Sequence, residues 1–450
     1  MSKRGGKRSD SARPGPPADA SAEPAPAISR AETDATESAR RRQVRSWVLF
    51  DFANSIYPAV MTTAVFPVFY VSTVVGGEGG EGELWWGSAV SLSALVVAFS
   101  APLLGGIADR CGLRKRFLAV YVAVCLASVC LLATVGPGMV LAGFVLFVIA
   151  NIGFEGGLVF YNAYLPDITP PEERGSVSGY GFGWGYLGSA LGLILALVFL
   201  QVLFPGRIEP VWLLVAGFFL LFSIPAFRNL PSDKGGDTGV GEAAAWGMRR
   251  FRATLREVWA LRDLRRFLTS YFFYIDGINT IIVMAAVIAT ETFGFDQMEA
   301  IILFLVVQFS AMAGALTLAK PTDRLGPRKI LTGVLAMWVA AGIAAYFVRS
   351  TTVFYGLAVV AGLGLGSAQS ASRAYLSLLI PRGREAEIFG FYAFCGRTSS
   401  VLGPLLFGGV TFLAAGNQRP GFLVLTALML TGLLLLQRVP DPRAKRASRA

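Results

Sequence analysis

The sequence predicts an all-α membrane protein with twelve transmembrane helices in two pseudo-symmetric six-helix bundles. Three observations lead there: apolar residues spread along the chain, basic residues gathered on one side of it, and a repeat between its halves. Of 450 residues, 54% are hydrophobic and 15% charged, with a mean hydropathy of +0.57. A soluble chain of that length would carry more charge and break into separate domains.

A helix needs about 20 apolar residues to cross a bilayer. Windows of that size place spans near 47–75, 84–108, 116–135, 138–165, 176–202, 210–227, 267–291, 298–319, 329–348, 353–380, 388–414 and 420–437. The chain then divides into a basic tail (1–45), an N-terminal bundle (46–227), a linker (228–266), a C-terminal bundle (267–437) and a second basic tail (438–450). Residues 1–45 are rich in Ala, Pro, Ser and Arg without an apolar period, which predicts disorder. The first apolar run carries Asp51 and Asn54 and is too long for a cleaved signal. In the linker, Met248 to Arg266 is basic and amphipathic, and it is expected along the headgroups, with a solvated helix as the plainer reading.

Of the 40 Lys and Arg residues, 35 fall in the tails and in alternate loops, whereas Arg207, Arg349 and Arg419 mark the opposite side. Loops rich in Lys and Arg stay in the cytoplasm, so both termini are expected there, with the protein in the cytoplasmic (inner) membrane. The net charge of +11 is therefore a topology signal, and no nucleic-acid partner is expected. The chain has no His, and its four cysteines are isolated or lie in apolar runs, so neither a metal site nor a disulfide framework is indicated. No phosphate-binding glycine loop is present, which argues against ATP-driven pumping. The partners expected are the bilayer and a small solute, handled by a monomer without a cofactor.

The repeat is an ordered set of matches. Asp109–Lys115 (DRCGLRK) recurs as Asp323–Lys329 (DRLGPRK), in the equivalent loop of the second half. Asp51 to Ser55 (D-x-x-N-S) recurs as Asp276 to Thr280 (D-x-x-N-T). An offset of 211 superposes Ala163, Tyr164 and Leu165 on Ala374, Tyr375 and Leu376, and Gly179, Gly185 and Gly192 on Gly390, Gly396 and Gly403. Parallel repeats with a pathway between them are a transporter plan. The glycines read first as close helix contacts, with direct ligand contact as the alternative.

The two D-R-x-G-x-R-K loops resemble the signature of the major facilitator superfamily, and the likeness extends over residues 47 to 437. LFDFANSIYPAVMTTAVFPVFY, FYNAYLPDITPPEERGSVSGYGFGWGYLG, YFFYIDGINTII and SRAYLSLLIPRGREAEIFGFYAFCGRTSSVLGPLLFG look like the branch of that superfamily that includes the autophagy-related vacuolar amino-acid effluxers. The resemblance implies a twelve-helix secondary carrier, with neutral amino acids as its solutes and efflux as its direction. It also implies that the paired loops form a conformational latch: Asp109, Arg110, Gly112, Arg114 and Lys115 in one half, Asp323, Arg324, Gly326, Arg328 and Lys329 in the other. Read from the residues, the glycines allow tight turns, the aspartates can bond neighbouring helix N-termini, and the basic residues stay at the headgroups. A simple topology anchor is the plainer reading.

Five ionisable residues fall inside spans: Asp51, Glu155, Asp276, Arg373 and Arg397. Each costs about 2.5–3.5 kcal/mol at the bilayer centre, so they must face water or one another. Asp276 and Arg397 are expected near the midplane as the substrate site, Arg397 for a carboxylate and Asp276 for an ammonium or a proton. Asn54, Asn279, Gln308 and Tyr57 add polar contacts. With no His, proton coupling would fall to Asp51, Glu155 or Asp276. Glu155 and Arg373 are expected to bridge the halves when the cytoplasmic side closes, and Asp51 to anchor the start of its helix. The leading reading is a secondary transporter working by alternating access. A transport-inactive receptor or scaffold of the same fold is the alternative, and a lipid-modifying enzyme lacks a nucleophile with an evident base.

Overall fold

The computed structural model describes residues 2, 30–76, 80–233, 235, 242, 256–399, 402–415 and 417–441. The chain forms two compact units, Met1–Ala39 and Arg40–Ala450, and the fold is that of the second. Most of the expected disordered tail, residues 248–255 of the amphipathic stretch and residues 442–450 lie outside the described residues.

Helix follows helix because a backbone in hydrocarbon must satisfy its own hydrogen bonds. The helices are α1 (Arg30–Asn54), α2 (Glu81–Cys111), α3 (Arg114–Leu131), α4 (Val140–Asn162), α5 (Arg174–Val198) and α6 (Glu209–Asn229). After the linker come α7 (Arg262–Val287), α8 (Gln297–Leu325), α9 (Pro327–Phe347), α10 (Thr351–Leu379), α11 (described over Glu385–Ser399 and Leu402–Leu413) and α12 (Arg419–Leu436). Eleven crossings among the described residues are long and apolar enough to span a membrane. The remaining predicted span, 388–414, corresponds to α11, which is described over Glu385–Ser399 and Leu402–Leu413. No strand occurs among the described residues.

Two expectations are corrected at the start of the chain. The tail does not remain irregular to residue 45, since α1 begins at Arg30 with no helix breaker before Asn54. The first crossing, Thr36–Val75, is not a uniform α-helix: wide π turns at Pro58–Ala64 and Tyr70–Val75 flank Phe66–Phe69. Pro58 and Pro67 lack the N–H that an α ladder needs, and the wider turns absorb the lost register.

The two halves use their repeated glycines alike. A Cβ on Gly179 of α5 would stand 2.6 Å from Cβ of Ala319 on α8, and one on Gly390 of α11 would stand 2.6 Å from the carbonyl of Ala101 on α2. These are the contacts between halves. Farther along each helix, Gly192 lies against Ile56 just after α1, while Gly403 lies against Thr280 and Asp276 on α7. Backbones meet there because no side chain intervenes.

The chain leaving each half is pinned in the same way. Tyr164 donates to the carbonyl of Pro231 just after α6 (3.5 Å), and Tyr375, its counterpart in the repeat, donates to that of Pro440 just after α12 (3.0 Å). Asp233 also accepts from the N–H groups of Lys115 and Arg116 at 2.7 and 3.2 Å, capping α3. These bonds gather the starts of α3 and α7 and the ends of α6, α10 and α12 on one side, here called the basic side. Arg266 donating to Arg438 O (3.2 Å) and Arg328 donating to Gln437 O (2.7 Å) belong to the same side.

Gly390→Leu should overpack the α2–α11 contact and cost about 1–3 kcal/mol, seen as a lower Tm of the purified protein. Gly217→Leu is the control, because a Cβ at Gly217 meets nothing within 4 Å; its Tm should not fall.

Candidate functional site

Four of the five intramembrane charges pair where the halves meet, in pairings the sequence did not identify. Arg373, on α10, is only 2% exposed. It reaches across to the N-terminal half, where its Nη2 lies 2.9 Å from Asp51 Oδ2. Its Nε donates to Ser178 Oγ (3.0 Å), Nη2 to Ser178 O (2.9 Å) and Nη1 to Asn162 Oδ1 (3.2 Å). The guanidinium carbon lies 4.5 Å from the Trp47 ring centroid and 4.1 Å from that of Phe182. Asn162 and Arg373 are related by the repeat offset of 211, so equivalent positions of the two halves bond to each other. Asp51 therefore does not anchor a helix start: it sits near the C-terminal end of α1 and holds a cation of the other half.

Glu155, on α4, pairs with Arg397 on α11. The expected Glu155–Arg373 bridge is replaced by two bridges, each joining the halves. The two residues expected near the midplane have different partners. Arg397 binds Glu155, and Asp276 accepts from the backbone N–H of Gly403 at 3.0 Å. Asp276 is fully buried, and its Oδ2 and the Thr280 hydroxyl have no hydrogen-bond partner among the described residues. Asp276, on α7, is thus bonded to α11 within its own half.

The remaining predicted residues are distributed unevenly. Asn54 is buried with its Nδ2 unpartnered among the described residues, and the same holds for the Tyr57 hydroxyl, whose ring stacks on Phe154 at 4.5 Å. Gln308 is buried in α8, and Asn279 is half-buried in α7. Sequence reasoning missed Trp47, Phe182, Ser178, Asn162, Tyr186 and Gln369. Tyr186 donates to Gln369 Oε1 at 2.6 Å, again across the halves. The offset of 211 was the signal that could have found Asn162, as the partner position of Arg373.

Both loops act on the opposite half. Asp109 accepts from the N–H groups of Ala386 and Glu387 at 3.2 and 2.9 Å, at the start of α11. Asp323 accepts from those of Gly175 and Ser176 at 2.7 and 2.8 Å, at the start of α5. A carboxylate at a helix N-terminus meets unpaired donors and the positive end of the helix dipole. Gly112 and Gly326 take φ of +63° and +93°, which a side chain disfavours.

The two loops differ in their basic residues. Arg114 binds Asp109 (2.6 Å), Asp167 (2.7 Å) and Glu385. Lys115 donates to Leu230 O at 2.9 Å, and Arg110 is exposed. In the second loop Arg328 holds the C-terminal end, while Arg324 and Lys329 are exposed. Arg174, at the start of α5, supplies the crossing bond there, donating to Ser377 O at 2.6 Å. A topology anchor would not need these bonds to the opposite half.

From the basic side inward, the contacts form layers: capped helix starts, then Arg373, then Tyr186–Gln369 and Glu155–Arg397. Such layers can close one end of a passage between two bundles while leaving the bundles intact.

Residues 88–449 match the family model described as "Vacuole effluxer Atg22 like". The chain is 31% identical to the MFS-type transporter YxiO of Bacillus subtilis (strain 168), over 89% of this chain and 95% of that protein. It is 23% identical to autophagy-related protein 22-1 of Penicillium rubens, over 79% of this chain and 75% of that one. Among solved structures, it resembles the human organic anion transporter MFSD10, with a TM-score of 0.72 and 17% identity, covering 88% of this chain and 99% of that one. A bacterial homologue of the iron transporter ferroportin, in an outward-facing state, gives a TM-score of 0.65 at 14% identity, covering 89% of this chain and 99% of that one.

Removing one partner of a buried ion pair such as Arg373–Asp51 costs about 3–5 kcal/mol, and less is at stake in the Glu155–Arg397 pair, whose arginine side chain is 38% exposed. Glu155→Arg and Arg397→Glu should each lower the Tm, and the double swap should recover most of the loss. In the Arg373 pair the swap should recover less, because an aspartate at 373 would face two aromatic rings. Thermal unfolding of the six variants checks both.

Proposed function

Because this chain belongs to the Atg22-like vacuole effluxer family of the major facilitator superfamily, we propose that it is a secondary carrier that moves a small polar solute by alternating access. It is a multi-pass membrane transporter, and its helices leave no room for a soluble catalytic domain. The finer reading rests on one observation: two ion pairs and two helix caps join the halves from the basic side to mid-membrane. Breaking them opens that side without unfolding either bundle.

The basic side is the cytoplasmic one in this reading, because Lys and Arg resist translocation. The geometry is then that of a carrier closed to the cytoplasm. The solute is of the amino-acid kind: once the bridges part, Arg397 offers a planar fork to a carboxylate, and Asp51 offers a charge to a cation. Asn54 and Tyr57 supply buried polar groups beside the path.

Proton coupling is assigned to Asp276. Of the three intramembrane carboxylates, Asp51 and Glu155 are neutralised by arginines of the other half. Asp276 has one backbone donor and no ion-pair partner among the described residues. A proton can cancel its charge without dissolving a bridge, and a buried charge without a partner is costly.

Counterflow in proteoliposomes tests the carrier reading: solute trapped inside should accelerate entry of the labelled solute. Asp276→Asn should retain counterflow yet lose uptake driven by a pH gradient. Equal loss of both would remove Asp276 from proton coupling. Asp109→Asn removes one of the two acceptors and the charge that faces the start of α11, worth about 0.3–1 kcal/mol; it should slow turnover while leaving solute affinity near the parent value, measured as Vmax and KM of flux.

A further inference from the structure

The groups that hold Arg373 form a complete cation site before Arg373 is counted. All of them belong to the N-terminal half. Trp47 and Tyr161 stack with centroids 4.7 Å apart and planes 14° apart. Each fixes the other, since Trp47 Nε1 donates to Tyr161 O (3.0 Å) and Tyr161 OH donates to Trp47 O (2.9 Å). The ring faces are therefore set by bonds that do not involve Arg373. Phe182 provides the second aromatic face, Ser178 and Asn162 provide acceptors at the edges, and Asp51 supplies the opposite charge. A Cβ on Gly181 would fall 2.6 Å from Arg373 Nη2, so glycine leaves room for the guanidinium there.

The shape of the site selects its ligand. Two aromatic faces leave a slot for a flat cation, and the acceptors lie around its rim, where a guanidinium carries its N–H groups. An ammonium, with three donors in a cone, would leave part of that rim unmet.

We propose that this cage is a substrate subsite for a guanidinium-bearing solute, arginine-like in chemistry, and that Arg373 occupies it as a tethered surrogate while the basic side is closed. The proposal rests on the carrier reading and deepens it. Separation of the halves withdraws Arg373 with α10, whereas Trp47, Tyr161, Phe182 and Asp51 stay with the N-terminal half. Asp51 would then lie among aromatic rings without a cation, and a solute guanidinium restores the lost contacts. On closure Arg373 returns to the same atoms and displaces the solute. Gate and release are one event.

The test uses the full-length protein in two arms. In the first, Arg373→Ala leaves the cage empty, and methylguanidinium at millimolar concentration should restore much of the lost Tm, whereas potassium chloride of equal ionic strength should not. In the second, wild-type proteoliposomes should show counterflow of labelled arginine that methylguanidinium inhibits. Trp47→Leu or Phe182→Leu should raise the half-saturating arginine concentration about tenfold, the scale of one desolvated cation–π contact. The second arm does not depend on the Ala variant folding. If Arg373→Ala folds and its Tm ignores methylguanidinium, the cage accepts no free cation and the proposal fails. If leucine shows counterflow while arginine does not and methylguanidinium is inert, the cage is a clamp only and the carrier reading stands. If no solute in the panel shows counterflow, the carrier reading fails and takes the proposal with it.

Discussion

A charge inside hydrocarbon must be matched, and in this protein the match for each arginine inside a span, buried Arg373 and partly exposed Arg397, lies on the other half of the molecule. Arg373 is held by α1, α4 and α5, and Arg397 by α4. Neither bundle can satisfy its own arginine with these partners, so the bundles are tied together by the same solvation penalty that would otherwise exclude the charges. The penalty also makes the tie reversible: water entering the interface can replace the partners, and the energy of the bridge falls as the dielectric around it rises.

Around that constraint the repeat is used with deliberate inequality. Its glycines perform the same packing in both halves, with Gly179 and Gly390 crossing to the opposite bundle and Gly192 and Gly403 lying against their own first helix. Its loop aspartates cap the same helix of the opposite half. The polar side chains diverge. Asn162 stands where the other half has Arg373, so a pseudo-symmetric scaffold presents a cation to an acceptor cage. Likewise Glu385 draws Arg114 into a three-carboxylate cluster, while its counterpart in the repeat, Arg174, reaches a backbone carbonyl instead. Symmetry sets the path and its breaking sets the chemistry, as a site between two bundles requires.

The spans, the basic side and the repeat were legible because each is a property of many residues in order. Hydropathy integrates over about 20 positions, so the substitution of one residue hardly moves it. The loop aspartates were legible for a related reason: an Asp beside a glycine turn, occurring in both halves, has few structural uses besides capping a helix. The charge pairs were not legible. Asp51, Glu155, Arg373 and Arg397 could be identified as buried, but two acids and two bases permit two pairings, and the choice depends on side-chain reach of a few ångströms at a helix crossing. Aromatic residues are also too common in these spans to mark a cage.

What the sequence determined by itself was therefore the placing of the apolar spans, their duplication, and the set of charges that must be neutralised inside the membrane. Tertiary structure alone decided which acid faces which base, that Asp276 bonds Gly403 rather than an arginine, and that Trp47, Tyr161 and Phe182 converge on one guanidinium. Burial is a one-body property that composition and periodicity can carry, whereas pairing depends on the rotation and register of two helices from different halves, which no local pattern encodes.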